Sequence, residues 1–144
     1  MMRGLLTIVG CLLVAMATGL ADAQTPPQAG DVKQQLRTAI THAGFAANGN
    51  VIGYVRQHLG HALNCIEGAK GKHFNQAWGH VCQGHGNGIL VDLKAAPGGA
   101  DVLPVAEHAD ALAVAGVTSN SLAQARNAAR GVGALLAVIA DPLK

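Results

Sequence analysis

The sequence predicts an all-α protein of two antiparallel helical hairpins, joined by a long Gly-rich loop that a disulfide staples. Three observations predict this fold. Apolar residues recur at spacings of three and four in four segments, short connections join these segments in two pairs, and the stretch between the pairs is dense in glycine. We expect the four helices to pack as one irregular bundle, a single helical domain over residues 31–144.

The composition supports a folded core and excludes one class of partner. Hydrophobic residues make up 50% of the chain and charged residues only 12%, which is typical of a chain that buries a core. The formal net charge of +2 is too small to indicate a nucleic-acid surface. We therefore expect no nucleic-acid partner.

Residues 1–23 have the organisation of a secretory signal peptide. Arg3 precedes an apolar run over residues 5–20, and Ala21-Asp22-Ala23 supplies a small-x-small cleavage site. A membrane anchor is the alternative, but the run is shorter than the roughly 20 residues that a spanning helix needs. A lipoprotein is disfavoured because Cys11 lies inside the apolar run. The prediction is a periplasmic or secreted protein with no stable membrane insertion after signal removal.

Signal removal leaves no methionine and only two cysteines, Cys65 and Cys82. A cysteine pair in an exported protein is most simply a disulfide, and closing this loop stabilises the fold by roughly 3 kcal/mol. A metal site that uses both cysteines is the alternative. The loss of methionine excludes a His/Met haem and a copper site with an axial Met.

The first hairpin begins after a flexible lead-in over residues 24–30. Asp31 is placed to cap the first helix, whose apolar stripe is Val32, Leu36, Ala39 and Ala43. Asn48-Gly49-Asn50 ends this helix and offers the next N-cap. From Val51 the second stripe predicts a helix to about Glu67, where Gly68 stops it; its members are Ile52, Val55, Leu59, Ala62 and Ile66.

Residues 68–100 predict a long loop, because Gly84-His85-Gly86-Asn87-Gly88 is incompatible with a regular element. A loop of this length needs an attachment in a compact protein, which the Cys65–Cys82 bridge supplies. Ile89-Leu90-Val91 is predicted as a short extended piece. Phe74 and Trp78 are placed to fold back over the first hairpin.

The second hairpin follows the loop. Asp101 is predicted to cap the third helix, with Pro104 tolerated in its first turn. Thr118 and Ser119 are predicted to cap the fourth, which ends at Asp141-Pro142. The two stripes are Val105, Ala109, Leu112 and Gly116, then Leu122, Ala125, Ala129, Val132, Leu136 and Ile139.

Seven histidines, six of them between residues 42 and 85, are the feature that points to chemistry. His58 and His61 lie at i and i+3 on the second helix, so both side chains share one face. His42 lies near the end of the first helix, close to the start of the second. A loop histidine, His73, His80 or His85, is placed to complete a ligand set. Neutral imidazoles suit Zn, Cu, Ni or Fe, and His42, His58, His61 and His85 are the candidate ligands.

Other chemistries find less support. Non-covalent haem between facing imidazoles is a further possibility, whereas covalent haem is excluded because Cys-x-x-Cys-His does not occur. Cys82 and His85 are not expected to act as a catalytic pair, because the cysteine is bonded. The seven carboxylates after the signal are scattered, so the sequence indicates no acid pair for hydrolysis; they are Asp31, Glu67, Asp92, Asp101, Glu107, Asp110 and Asp141. We expect no enzymatic activity.

Two stretches resemble known proteins. The first stretch consists of His42-Ala43-Gly44-Phe45-Ala46, then His58-Leu59-Gly60-His61 through Cys65, then Cys82 with Gly84 and Gly86-Asn87-Gly88. It resembles a group of small exported bacterial proteins of unassigned function. In that group a His-x-x-His-x-x-x-Cys helix precedes a Gly-rich loop with a second cysteine. The resemblance covers about half of the chain after the signal and implies no activity.

The second resemblance lies in the C-terminal half. It consists of two segments, Ala106-Glu107-His108-Ala109-Asp110-Ala111 and the stretch from Ala123 to Ala129. Both are similar to the periplasmic small metal-binding protein family. That family implies a His-rich helical bundle that takes up divalent metals. Of the histidines that this resemblance implies for these stretches, the sequence has His108.

Two hypotheses follow from the sequence. The first is a disulfide-stapled periplasmic protein that binds a divalent transition metal through its histidines, for buffering or delivery. The second is a structural or protein-interaction module, in which the histidines are not ligands and the Gly-rich loop or the Ala-rich helices meet a protein partner. Self-association fits either hypothesis, because Ala/Gly-rich helical surfaces pack readily on copies of themselves.

Overall fold

The computed structural model describes residues 30–143, and over this range the protein is all-helical. The predicted signal peptide, residues 24–29 of the predicted lead-in, and Lys144 lie outside the described residues. The helices are α1 (Val32–Asn48), α2 (Ile52–Glu67), α3 (Ile89–Asp92), α4 (Gly99–Thr118) and α5 (Leu122–Ala140), with a short 3-10 helix at Gln76–Trp78. The predicted all-α class is confirmed.

Helices α1 and α2 begin and end close to their predicted bounds. The Asp31 side chain caps α1 by accepting a hydrogen bond from the Gln34 N–H at 2.8 Å. At the other end of α2, Gly68 adopts a φ of 73°, which glycine alone adopts at low cost, and the helix stops there. The prediction that Asn48-Gly49-Asn50 supplies the N-cap of α2 is wrong: the N-cap is Val51, whose side chain makes no capping hydrogen bond.

The segment between α2 and α4 is fastened to the helices at several points. Cys65 and Cys82 form the predicted disulfide, with Cα atoms 5.3 Å apart. Buried Gln35 on α1 donates to Asp92 Oδ2 at 2.7 Å and accepts from the Gly88 N–H at 3.1 Å. The extended piece predicted at residues 89–91 is wrong, since these residues form the start of α3. An apolar run this short fits either conformation, and the Gly88 N-cap and tertiary burial of Ile89 select a helical turn here.

The caps of α4 and α5 differ from the sequence prediction by two or three residues. Helix α4 starts from Gly98, so Asp101 lies inside the first turn, where its carboxylate complements the helix dipole. Ser121, rather than Thr118 or Ser119, caps α5 by accepting from the Gln124 N–H. Ser119 instead accepts from the Ser121 N–H and shapes the turn between the helices.

The four long helices share one buried core. Helix α1 packs on α2 and α5, and α4 packs on α5 and α2. Helix α4 can approach α2 closely because Gly116 has no side chain. A Cβ at this position would lie only 2.4 Å from Leu59 Cδ2. The largest fully buried apolar side chains are Leu36, Leu59, Leu63, Ile66, Ile89, Leu93, Leu136 and Ile139. Within residues 30–143 no helix combines the length and the hydropathy that a membrane span needs.

Candidate metal centre

Three histidines from α1 and α2 converge at one edge of the bundle. His42 Nδ1 lies 3.0 Å from His58 Nδ1 and 3.1 Å from His61 Nδ1. One donor atom of each ring lies within 4.8 Å of the other two. All three rings are partly buried. The sequence predicted His58 and His61 on one helical face and left His42 near the start of α2, and the structure places His42 directly against both.

The separation of these nitrogens matches a shared metal ion better than a hydrogen-bond network. A ring nitrogen carries one proton or one lone pair, so His42 Nδ1 can make only one good hydrogen bond. Only one of the two short contacts at His42 Nδ1 can therefore be a good hydrogen bond. Nitrogen ligands on a tetrahedral zinc ion, with Zn–N near 2.05 Å, lie about 3.3 Å apart. The two contacts at His42 Nδ1 need to open by only about 0.2–0.3 Å to reach that separation, and donor atoms of His58 and His61 lie within 4.8 Å of each other.

The electrostatics keep these imidazoles neutral, as metal ligands must be. Burial, followed by the positive charge that His61 and His58 would carry, lowers the pKa of His42 from 6.5 to about 4. Burial also lowers the pKa of His58, and burial together with His58 lowers that of His61. At neutral pH the cluster therefore offers uncharged imidazoles, and a cation binds to them without a net release of protons.

Groups around His61 orient its ring. His61 forms a hydrogen bond to the backbone of Trp78, which opposes the fall in its pKa. Gln57 Nε2 lies 3.2 Å from His61 Nε2 and donates to the Trp78 carbonyl at 2.7 Å. When Nδ1 of a histidine binds a metal, its Nε2 carries the proton and donates, commonly to a backbone carbonyl, so the Trp78 backbone, and not the Gln57 amide nitrogen, is the partner that suits a metal-bound His61. Gln57 is not among the residues predicted from the sequence, although its i, i+4 spacing from His61 places it on the same face; no sequence signal identifies the Trp78 carbonyl.

Aromatic side chains flank the histidines on the solvent side. The Tyr54 ring centroid lies 4.3 Å from that of His58, and the Phe45 ring lies 5.3 Å from His58 and 5.6 Å from His42. Phe45 is 46% exposed and Tyr54 47% exposed. The cluster is thus bordered by partly exposed apolar rings.

The loop histidines lie elsewhere. His85 is outside the converging group; its carbonyl accepts from the Asp31 N–H at 2.7 Å, which fixes it at the N-terminus of α1. His73 pairs with Glu67 at 2.6 Å. The His80 ring packs edge-on against Phe74, and burial lowers its pKa. Of the four candidate ligands named from the sequence, the structure brings together His42, His58 and His61.

The carboxylates are less scattered than the sequence indicates. Glu67 at the end of α2 and Asp110 in α4 lie far apart in the chain, yet their carboxyl groups meet beside His73. The contact arises because α2 packs against α4, which the spacing of acidic residues does not reveal.

No protein-family model, curated protein or solved structure matches this chain, so the local geometry carries the functional argument.

Proposed function

We propose that this protein binds one divalent transition-metal ion through His42, His58 and His61, and that it buffers or delivers the ion in the periplasm. The observation that carries the proposal is the pair of short contacts at His42 Nδ1, 3.0 Å to His58 and 3.1 Å to His61. Three imidazole nitrogens suit Zn, Cu, Ni or Fe. Three ligands also leave a coordination position open to water or to a group from a partner.

The fold supports a fixed ligand set. Two ligands lie on α2 and one on α1, and the two helices pack against each other. The proposal retains the two antiparallel hairpins of the sequence prediction, α1–α2 and α4–α5, which the short connections and the packing of consecutive helices support. Ligands on packed helices lose little conformational freedom when the ion binds.

The periplasmic location rests on the predicted signal peptide and on the disulfide. A disulfide persists in an oxidising compartment and is rare in the cytosol. A non-catalytic role is favoured because the centre that we propose consists of ligands bordered by aromatic rings. The same geometry disfavours haem at this place: the Nδ1 atoms of His42 and His58 are too close together to bind opposite faces of a haem iron.

A protein-interaction surface is the second candidate function. The observation that favours it is the exposure of two aromatic side chains beside the histidines, Phe45 at 46% and Tyr54 at 47%. Exposed aromatic residues at one place are common in protein interfaces. In this case the histidines are polar packing and bind no ion.

A calorimetric titration separates the two candidates. The protein, purified without a His tag, is titrated with Zn²⁺ beside a His58→Ala/His61→Ala variant and a His108→Ala control, since His108 is exposed on α4. The metal hypothesis predicts that the double variant loses at least a hundredfold in affinity at this site while the control does not change. Equal zinc binding by all three proteins would refute it. A Soret band in the purified protein would instead indicate haem.

A further inference from the structure

A second group of metal-ligating side chains lies between α2, α4 and the segment that follows α2. Glu67 is the last residue of α2, Asp110 lies in α4, and His73 lies in the connecting segment. One donor atom of each lies within 4.8 Å of the other two. The group shares no residue with the three-histidine cluster. It joins two carboxyl groups and an imidazole, a different donor chemistry.

The Glu67 side chain is held firmly. It is 7% exposed, and its Oε2 accepts from the His73 N–H at 2.5 Å. Its Oε1 lies 2.6 Å from His73 Nδ1. A Cβ on Gly71 would lie 2.2 Å from Glu67 Cβ, so the segment passes directly over this carboxyl group. The imidazole and the carboxylate are thus fixed next to each other before any ligand arrives.

Asp110 is the incomplete member of the group. Its Oδ1 is buried, and no hydrogen-bond donor from residues 30–143 reaches it. A buried carboxylate oxygen without a donor is costly unless a proton or a cation lies next to it. Burial, the charge of Glu67 and a hydrogen bond between the two carboxyl groups raise the pKa of Asp110 to about 6, although His73 acts in the opposite direction. Lys70 and Lys72 line the same pocket, yet among residues 30–143 the ion pair made by these carboxyls is the one with His73.

We propose that Glu67, His73 and Asp110 form a second divalent-cation site. A cation would take the place of the proton in the hydrogen bond between Glu67 Oε1 and His73 Nδ1, and these two atoms, 2.6 Å apart, would separate by about 0.7 Å to reach the ligand spacing on tetrahedral zinc. The ion supplies the missing partner of Asp110 Oδ1. It also offsets the charge of two carboxylates held together. Two oxygens and one imidazole nitrogen suit Zn(II), Mn(II) or Fe(II), whereas three imidazoles also suit Cu(II) and Ni(II).

The test counts ions in matched variants. Proteins are dialysed against Zn²⁺ buffered at a micromolar free concentration, and bound zinc is measured per chain. The wild-type protein binds two equivalents. Asp110→Asn binds one, His58→Ala/His61→Ala binds one, and the combined variant binds none. Glu107→Gln is the control, since it removes an exposed carboxylate three residues away on the same helix and binds two.

The outcomes separate this inference from the proposed function. One equivalent in the wild-type protein that the histidine variant loses and Asp110→Asn retains would overturn the second site alone. One equivalent that Asp110→Asn loses and the histidine variant retains would overturn the three-histidine site alone. Nuclear magnetic resonance of the His73 ring nitrogens in His58→Ala/His61→Ala keeps the test decisive if Asp110→Asn folds poorly. Zinc then shifts the His73 signals, and unchanged signals would contradict the site.

Discussion

Asn64 fixes the loop that orients His61, and replacing it with aspartate tests that arrangement. Asn64 is fully buried on α2. Its Nδ2 donates to the carbonyls of Asn75 at 2.9 Å and Gly79 at 2.7 Å, and its Oδ1 accepts from the Asn75 N–H at 3.0 Å. Asn64→Asp keeps the volume and the accepted bond, but it removes both donated bonds and points an anionic oxygen at two carbonyls.

The magnitude follows from those two bonds. Leaving a buried acceptor without its donor costs about 1–3 kcal/mol, so two such losses reduce the free energy of unfolding by about 3 kcal/mol. The loop between these anchors carries Trp78, whose backbone hydrogen-bonds to His61. A loss of that orientation lowers zinc affinity by about tenfold to a hundredfold.

Urea unfolding and zinc competition measure both effects, with Asn50→Asp as the control because Asn50 is exposed between α1 and α2. The control changes stability by less than about 0.5 kcal/mol. The pKa of the new carboxyl group is raised in the folded state, so its protonated form, which can donate one bond, is favoured there. The destabilisation therefore shrinks as the pH falls toward 4. A loss of stability below 1 kcal/mol at pH 7 would refute the role given to Asn64.

Three further predictions concern the bridge, the packing and the pH range. Reducing the disulfide lowers the free energy of unfolding by roughly 3 kcal/mol, since it closes a sequence separation of 17 residues; equal urea midpoints with and without reductant would contradict this. Gly60→Ala lowers the free energy of unfolding by about 1–3 kcal/mol, because its Cβ would lie 2.3 Å from Trp78 Cδ2. The control Gly53→Ala, with open space around it, is neutral or stabilising. Equal effects of the two variants in thermal unfolding would contradict the packing of Trp78 on Gly60. Zinc affinity falls little between pH 7 and 5.5, because the pKa of His42 is about 4 and those of the other two ligands are also lowered. Histidines with an ordinary pKa are about 90% protonated at pH 5.5, so a site made of them would lose about tenfold in zinc affinity for each ligand. A loss of that size in equilibrium dialysis would contradict the prediction.

The sequence predicts the helices well because burial repeats at the helical period. Four residues of the predicted α2 stripe are fully buried, Val55, Leu59, Ala62 and Ile66, and Ile52 is partly buried; the Asp31 cap forms as predicted. The cap of α5 is predicted wrongly because Ser119 and Ser121 are both good caps, and only the turn geometry selects one of them.

The candidate site is predicted in part for the same reason. His58 and His61 follow from helical spacing, which is a local property. The contact of His42 with both depends on how α1 packs on α2, and the position of His85 depends on how the loop folds against Asp31. The meeting of Glu67 with Asp110 depends on the packing of α2 on α4. Side chains brought together by tertiary packing leave no periodic signal in the sequence.

A crystal structure of the zinc-loaded protein, with anomalous data collected on both sides of the zinc absorption edge, tests the three-histidine centre most directly. We expect an anomalous peak about 2.0–2.1 Å from the Nδ1 atoms of His42, His58 and His61. A zinc-loaded crystal with no peak among these three rings, or with the rings turned away from one another, would contradict it.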